Sequence, residues 1–262
     1  MQRTLWALLL VLILGRANAE ALDDGCASSL EQIQWLSEHY APYNFVGEQG
    51  KPTGMTTEIL LTLFKRLGAK VDAESIVFLP WARSYRTIQI RPDHGLFSTT
   101  ITLQREKLFT FVGPIVPITV ALIAKRDKQL RISSVEDMND LRIGTVKDDI
   151  GEQLLLEAGV NPQVIQRTSY ADNLVIQLIR GRLDAIAYAS QPTFYYMNQL
   201  GDKASDYELI HVFSEGQMGV AFHPATDPLA IACLQEALNQ LKAEGGVEAV
   251  INRYIGELPQ SE

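Results

Sequence analysis

Strand-like and helix-like segments alternate along almost the whole of this chain, and that alternation limits its fold more than any other feature. Glu31 to Leu36 alternates polar and apolar residues and predicts a first strand. A loop rich in aromatics and proline follows over 38–45, and 47–54, with Gly50 and Pro52, predicts a hairpin-like turn. Ile59, Leu60, Leu63, Phe64 and Leu67 form the apolar stripe of a helix over 55–67, with Lys65 and Arg66 near its end and Gly68 closing it. A second strand region is expected over 70–79, a helix opening at Pro80, and a third strand over 93–97. Pro114 and Pro117 then bracket an extended β-branched segment that reaches Ile123, which reads as a crossover between lobes.

Beyond the crossover the pattern begins again. An N-cap with acids in its first turn stands at 133–137, followed by a strand over 141–146 and a helix over 149–158. A short strand at 164–165, a helix over 171–180, a strand over 183–188, a helix over 192–200 and a strand over 207–213 complete the second set. Residues 217–222 return to the first lobe, and helices over 228–242 and 246–254 finish the chain. A helix between successive strands, repeated, predicts a parallel α/β sheet.

The N-terminus differs from the rest. Arg3, an apolar run from Leu5 to Leu14 and small residues at Ala17 and Ala19 have the form of a secretory signal peptide, residues 1–19, cleaved near Ala19. Its apolar run is too short to span a bilayer comfortably. Its loss removes Arg3 and Arg16 and no acids, so the net charge falls from −8 to −10 (−8 − 2). An exported protein this acidic has little affinity for nucleic acid or anionic lipid. Cys26 and Cys233 are the two cysteines. In an oxidising compartment they form one disulfide joining the chain ends, or remain two unpaired thiols.

Chemistry concentrates at 98–112. Ser98, Thr99, Thr100 and Thr102 place four hydroxyls in five residues, and Arg105 follows three residues later, before the apolar run to Val112. The expected form is a strand ending in a hydroxyl-rich turn, a short helical turn carrying Arg105, and a second strand. Hydroxyls and backbone N–H groups beside one planar, two-pronged guanidinium suit a small carboxylate. The plain alternative is an N-capping Thr with a surface arginine.

The order of these segments resembles the bacterial extracellular solute-binding proteins of the polar-amino-acid type, which deliver ligands to ABC importers. The similarity runs from about Gln32 to Gly256. It rests on Ala41-Pro42-Tyr43-Asn44-Phe45, Gly50 to Met55, Leu79-Pro80-Trp81, Thr100-Ile101-Thr102 with Arg105, and Gly113-Pro114. It continues through Ser134 to Met138, Ile143-Gly144, Gly181 to Ala185, and Gly245-Gly246-Val247 with Tyr254. The resemblance implies an α/β, two-lobed periplasmic-binding-protein-like fold of type II with two hinge strands and no cofactor. Lobe 1 would hold residues 20–114 plus 217–262, and lobe 2 residues 118–213. A small-molecule carboxylate would close between them, in a monomer that docks on an inner-membrane ABC permease or a receptor.

Position by position, the resemblance assigns Arg105 to the clamp on the ligand carboxylate, completed by Ser98 and Thr100. Tyr40 would cover the ligand's side chain, Met55 would form a second wall, and Trp81 would face the cleft or pack within its lobe. In lobe 2 the loop 147–150 would offer N–H groups to the carboxylate, and Tyr188 would line the closing face. Two departures stand out. The loop carries Asp148 and Asp149, which cap a helix, repel a carboxylate or hold an amine. The family's amino-acid binders usually carry an acid about five residues after the aspartate matching Asp184, to hold the ligand ammonium; here the chain has Ala189, Ser190 and Gln191. Either another acid, such as Asp149, replaces it, or the ligand is not a standard α-amino acid.

Two other functions compete. A dehydratase-type enzyme on the same fold needs a proton donor in the cleft, and Ala189 occupies the position where one is expected. His39, His94, His211 and His223 have no metal-ligand spacing, and no nucleophile motif is present. A ligand sensor serving a receptor is read by the same closed shape as a transport protein. The expectation is therefore a non-enzymatic binding protein.

Overall fold

A computed structural model describes residues 25–255. The expected signal peptide lies outside these residues. Helix α1 occupies 25–31, and strand β1 (Gln34–Ser37) follows, so of the segment read as a strand Glu31 ends the helix and residues 32–33 form a turn. Leu30 and Ile33 are both buried, a three-residue spacing that belongs to a helical turn and not to alternation. Strands β2 (Phe45–Val46) and β3 (Pro52–Thr53) form the expected hairpin. Helix α2 (Met55–Arg66) buries Ile59, Leu60, Leu63 and Phe64 as its spacing predicts. The 70–79 region holds only a 3-10 turn (Ala73–Ser75) and the two-residue strand β4 (Val77–Phe78). Helix α3 (Trp81–Ile88) opens after Pro80, and β5 (His94–Thr100) is buried along its whole length.

Strand β6 (Thr110–Lys125) runs unbroken for 16 residues through both prolines. The second set comprises α4 (Val135–Asn139), β7 (Ile143–Val146), α5 (Ile150–Glu157), β8 (Ile165–Thr168), α6 (Ala171–Ile179), β9 (Ala185–Ala189) and α7 (Ser190–Gln199). Strand β10 (Tyr207–Phe222), also 16 residues, joins the two segments read separately as a last strand and a return. Helices α8 (Pro228–Ala243) and α9 (Gly246–Ile255) complete the chain.

Eight strands form one sheet in the order β4-β1-β5-β10-β6-β9-β7-β8. The outer triplets are parallel, as alternation of helix and strand requires. The centre is not: β10 pairs antiparallel with β5 and β6, and β6 antiparallel with β9. The sheet is therefore mixed, not wholly parallel, because β6 and β10 return the chain between the triplets without an intervening helix. Pro114 and Pro117 are tolerated near the middle of β6. Pro114 is exposed, and the ladder with β10 shifts register between Met218 and Val220, which oppose Val116 and Val112.

Cys26 in α1 and Cys233 in α8 form a disulfide, their Cα atoms 5.8 Å apart. It closes a loop of about 200 residues, and such links stabilise by roughly 2–4 kcal/mol, chiefly through the unfolded chain.

Candidate functional site

The site lies where the sheet's two halves face each other across β6 and β10. On the first side, β5 carries Ser98, Thr99 and Thr100 into the interior. These residues belong to the strand and not to a turn, since Met218 and Gly219 of β10 pair with Thr100 and Thr99. Ser98 adopts φ 56°, in the left-handed region. A residue with a Cβ is strained there by about 1–3 kcal/mol, a cost that clusters at functional sites. Its hydroxyl donates to Asn44 Oδ1, which fastens the strand end to the aromatic loop.

Arg105 sits on a 3-10 turn (Arg105–Lys107) and is 1% exposed. Its backbone N–H donates to Thr102 Oγ1 (3.2 Å) and its Nη1 to Thr100 O (3.2 Å). The guanidinium lies over the rings of Trp81 and Tyr85, 5.2 Å from each centroid. Nε and Nη2 are buried and have no hydrogen-bond partner among the described residues. Burying an ion costs several kcal/mol, and cation–π contact returns about 2 kcal/mol when desolvated. Burial pulls the guanidinium's pKa down, while Asp149 and Tyr85 act to raise it. The exposed-arginine alternative does not hold: this is a buried cation with two donors pointing into the site.

The aromatic loop is held by α2. Met55 N–H donates to Pro42 O (3.0 Å) and Thr56 N–H to Tyr43 O (2.9 Å), which satisfies the helix's first donors. Gly54 permits that approach, since a Cβ there would meet Tyr43 O at 2.5 Å. Tyr40 is thereby packed against Tyr43 and edge-on to Tyr188 (5.6 Å). Met55 is fully buried in the main core cluster behind the loop.

On the opposite side, Asp149 is the N-cap residue of α5, and Oδ2 is buried without a partner. Burial drives its pKa up, and Arg105 pulls it down. The two form no ion pair closer than 4 Å but feel each other's charge across the site. Gly151 seats the start of α5 against β9, since a Cβ there would lie 2.1 Å from Ala187 O. The neighbouring Asp148 N–H is taken by Glu152 Oε2 (2.7 Å), so it is not among the free donors expected of this loop. Tyr188, on β9, presents a buried hydroxyl without a partner among the described residues. Ala189 is buried at the junction of β9 and α7, and Asp184 is committed to Arg142 through paired bonds of 2.8 and 2.9 Å.

Three bonds join the sides. Trp81 Nε1 donates to Asp148 O (2.8 Å), Tyr196 OH donates to His39 O (3.0 Å), and Tyr43 OH meets the Gln191 side-chain amide while also donating to Pro117 O (3.0 Å). Asp148 is, like Ser98, a non-glycine residue with positive φ (60°). Trp81 thus bonds across to the opposite side and packs within its own.

Sequence reasoning passed over Glu38, Tyr85 and Tyr196. Glu38 is buried, and burial, reinforced by Asp149 and opposed by Arg105, drives its carboxyl well above the ordinary range. An acid two residues before Tyr40 reads locally as a solvated loop residue; only the tertiary fold places it near Arg105. Among the described residues no cluster of His, Cys, Asp and Glu has a metal-holding arrangement.

Residues 35–257 match the family described as bacterial extracellular solute-binding proteins, family 3. The chain is 22% identical over 261 residues to the L-cystine-binding protein TcyJ of Escherichia coli (strain K12), covering 97% of this chain and 95% of that protein. It is 23% identical over 241 residues to an arginine-binding periplasmic protein of Mannheimia haemolytica, covering 88% and 95%. Its fold is similar to that of a histidine kinase sensor domain with similarity to periplasmic binding proteins, with TM-score 0.75 at 20% identity over 86% of this chain and 96% of that one.

Proposed function

The chain belongs to the bacterial extracellular solute-binding proteins of family 3, and we propose that it captures a small carboxylate-bearing solute, an amino acid or a related compound, between its two lobes and delivers it to an ABC importer. The observation that carries this reading is Arg105: a buried guanidinium with Nε and Nη2 unpaired, held in place by Thr100 O and two rings. Two parallel donors of fixed geometry match one carboxylate.

Lobe 1 would be residues 20–114 plus 217–262 and lobe 2 residues 118–213, with β6 and β10 as the hinge strands. The solute's carboxylate rests on Arg105 beside the Ser98–Thr100 strand end, with Tyr40 and Tyr188 enclosing its body. Asp149, and Glu38 when ionised, supply negative charge for an ammonium, in the role left open by Ala189. Closure through Trp81–Asp148 and Tyr43–Gln191 buries the ligand and forms the surface that a permease reads. The protein acts as a monomer in the periplasm after cleavage near Ala19, with no catalytic step. Its similarity to a cystine-binding and an arginine-binding protein supports an amino-acid-like ligand.

The test is a thermal-shift screen of the mature chain against amino acids, their keto and hydroxy analogues, dicarboxylates and small amines, repeated with Arg105→Ala. A ligand bound only by the folded state raises Tm by mass action. Arg105→Ala should abolish every carboxylate-dependent shift while circular dichroism stays native. An unchanged shift in that variant removes the core of the reading.

A further inference from the structure

A cavity of about 520 Å³ opens between the lobes, lined in part by Glu38, His39 and Ala41, the chain neighbours of Tyr40. That volume lies within the range of whole ligand pockets, yet neither Arg105 nor the expected side-chain walls Tyr40 and Met55 line it. Its walls are rings from both sides of the cleft: Phe45 and Phe78 face Tyr170, Tyr195 and Tyr196. Phe45 and Tyr195 stand 5.6 Å apart and Tyr195 and Tyr196 5.8 Å. The Tyr196 OH bond to His39 O ties the two walls together.

The acids lining the chamber are Glu38, which is buried, and Asp172, which is exposed, and no lysine or arginine contributes to the lining. Its one basic side chain, His39, is held toward the neutral form by burial. Glu38 also adjoins the inner site: its backbone carbonyl accepts from Asn44 Nδ2 (2.7 Å), and Asn44 Oδ1 accepts from the Ser98 hydroxyl. Aromatic faces with nearby carboxylates and no competing cation attract a positively charged group, most strongly when it is soft and weakly hydrated.

We propose that this chamber is a second subsite, which takes the cationic distal end of an elongated solute whose carboxylate is held by Arg105, with Glu38 at the neck and Phe45, Tyr195, Tyr196 and Asp172 around the cation. The inference rests on the reading of Arg105 as the carboxylate anchor.

The experiment is calorimetric titration of the mature chain with carboxylates that end in trimethylammonium after one, three or five methylene groups. Each is used with and without an α-ammonium and beside its neutral tert-butyl isostere. Affinity should rise with length by about ten-fold or more for the cations and not for the isosteres. Tyr195→Ala and, separately, Asp172→Asn should return the longest cation toward the affinity of the shortest. Equal affinity at all lengths, or an equal gain for the isosteres, overturns the chamber and leaves the Arg105 reading standing. Undiminished binding of the longest cation by Arg105→Ala, or no binding of any member by the wild type, overturns both.

Discussion

The Trp81 indole N–H donates to the backbone carbonyl of Asp148 at 2.8 Å, and the same indole forms one face of the Arg105 guanidinium's seat. One side chain therefore touches Arg105 on one side and the positive-φ residue before α5 on the other. Trp81→Phe keeps a ring beneath Arg105 and deletes the bond, so the closed form loses about 1 kcal/mol. The expected result is a several-fold faster ligand off-rate with a nearly unchanged on-rate. Stopped-flow displacement reads both, and an unaltered off-rate would show that the bond does not hold the lobes shut.

Arg105 should be a residue that costs stability and supplies binding. Arg105→Met retains most of its volume, still packs on Trp81 and Tyr85, and removes a buried charge with two unpaired donors. In buffer without ligand the variant should melt at or above the wild-type temperature, because replacing buried ions by apolar groups of similar size is neutral or stabilising. Ligand should then add nothing to its Tm. A large drop in the ligand-free Tm would mean that the cation serves the fold.

Glu38 gives a pH dependence of definite sign. Its carboxyl is raised by burial above its ordinary value of 4.5, so the folded chain binds this proton more tightly than the unfolded one. The stability this contributes is complete below pH 4.5 and declines as pH rises through the folded value. Asp149 shifts in the same direction, whereas Asp137 and Asp184 shift the other way. The test is therefore a difference: urea unfolding from pH 4 to 8 (about the range where carboxyls and His titrate) should show Glu38→Gln gaining on the wild type as pH rises. Parallel curves would exclude Glu38 as a source.

Gly151→Ala should destabilise by roughly 1–3 kcal/mol, the cost of forcing a methyl into a packed contact. The added Cβ would meet backbone, Ala187 O at 2.1 Å, and not a side chain that can swing away. Chemical denaturation measures the loss. Because the strain falls on the start of α5 beside Asp149, ligand affinity should fall as well.

Replacing both Cys26 and Cys233 by serine should lower stability by roughly 2–4 kcal/mol. Denaturant melts compare the variant with the oxidised parent, and the parent in reductant should approach the variant. Coincident curves without reductant would mean that the bridge contributes nothing.

Much of this was legible from residue order, and the rest failed for identifiable reasons. The helix over Met55–Arg66 and its stop at Gly68 followed from a regular apolar stripe and a glycine at φ 68°. Arg105 was identifiable because an arginine after a hydroxyl-rich stretch is a local pattern. The stretch itself was misread in form: Ser98 to Thr100 are strand residues buried on both faces, and hydroxyls imitate a turn when the neighbouring strand is unknown. Pro114 and Pro117 made β6 look interrupted, though the partner strand's register shift accommodates them. Glu38 was invisible for the opposite reason. Nothing within several residues of it foretells that it will share a buried site with Arg105 and Asp149, which lie far along the chain.

The long pairing of β6 with β10 has a further meaning for how the molecule is made. β5, which leads to Arg105, is flanked on one side by residues 218–222, and β6 and α2 are covered by α8. The lobe that begins first in the chain is thus finished last, by residues near its other end. During synthesis Arg105 has no complete scaffold until almost the entire polypeptide has emerged. A chain truncated before β10 would hold every expected ligand contact and still be unable to place Arg105, so the surroundings of this side chain are completed all at once or not at all.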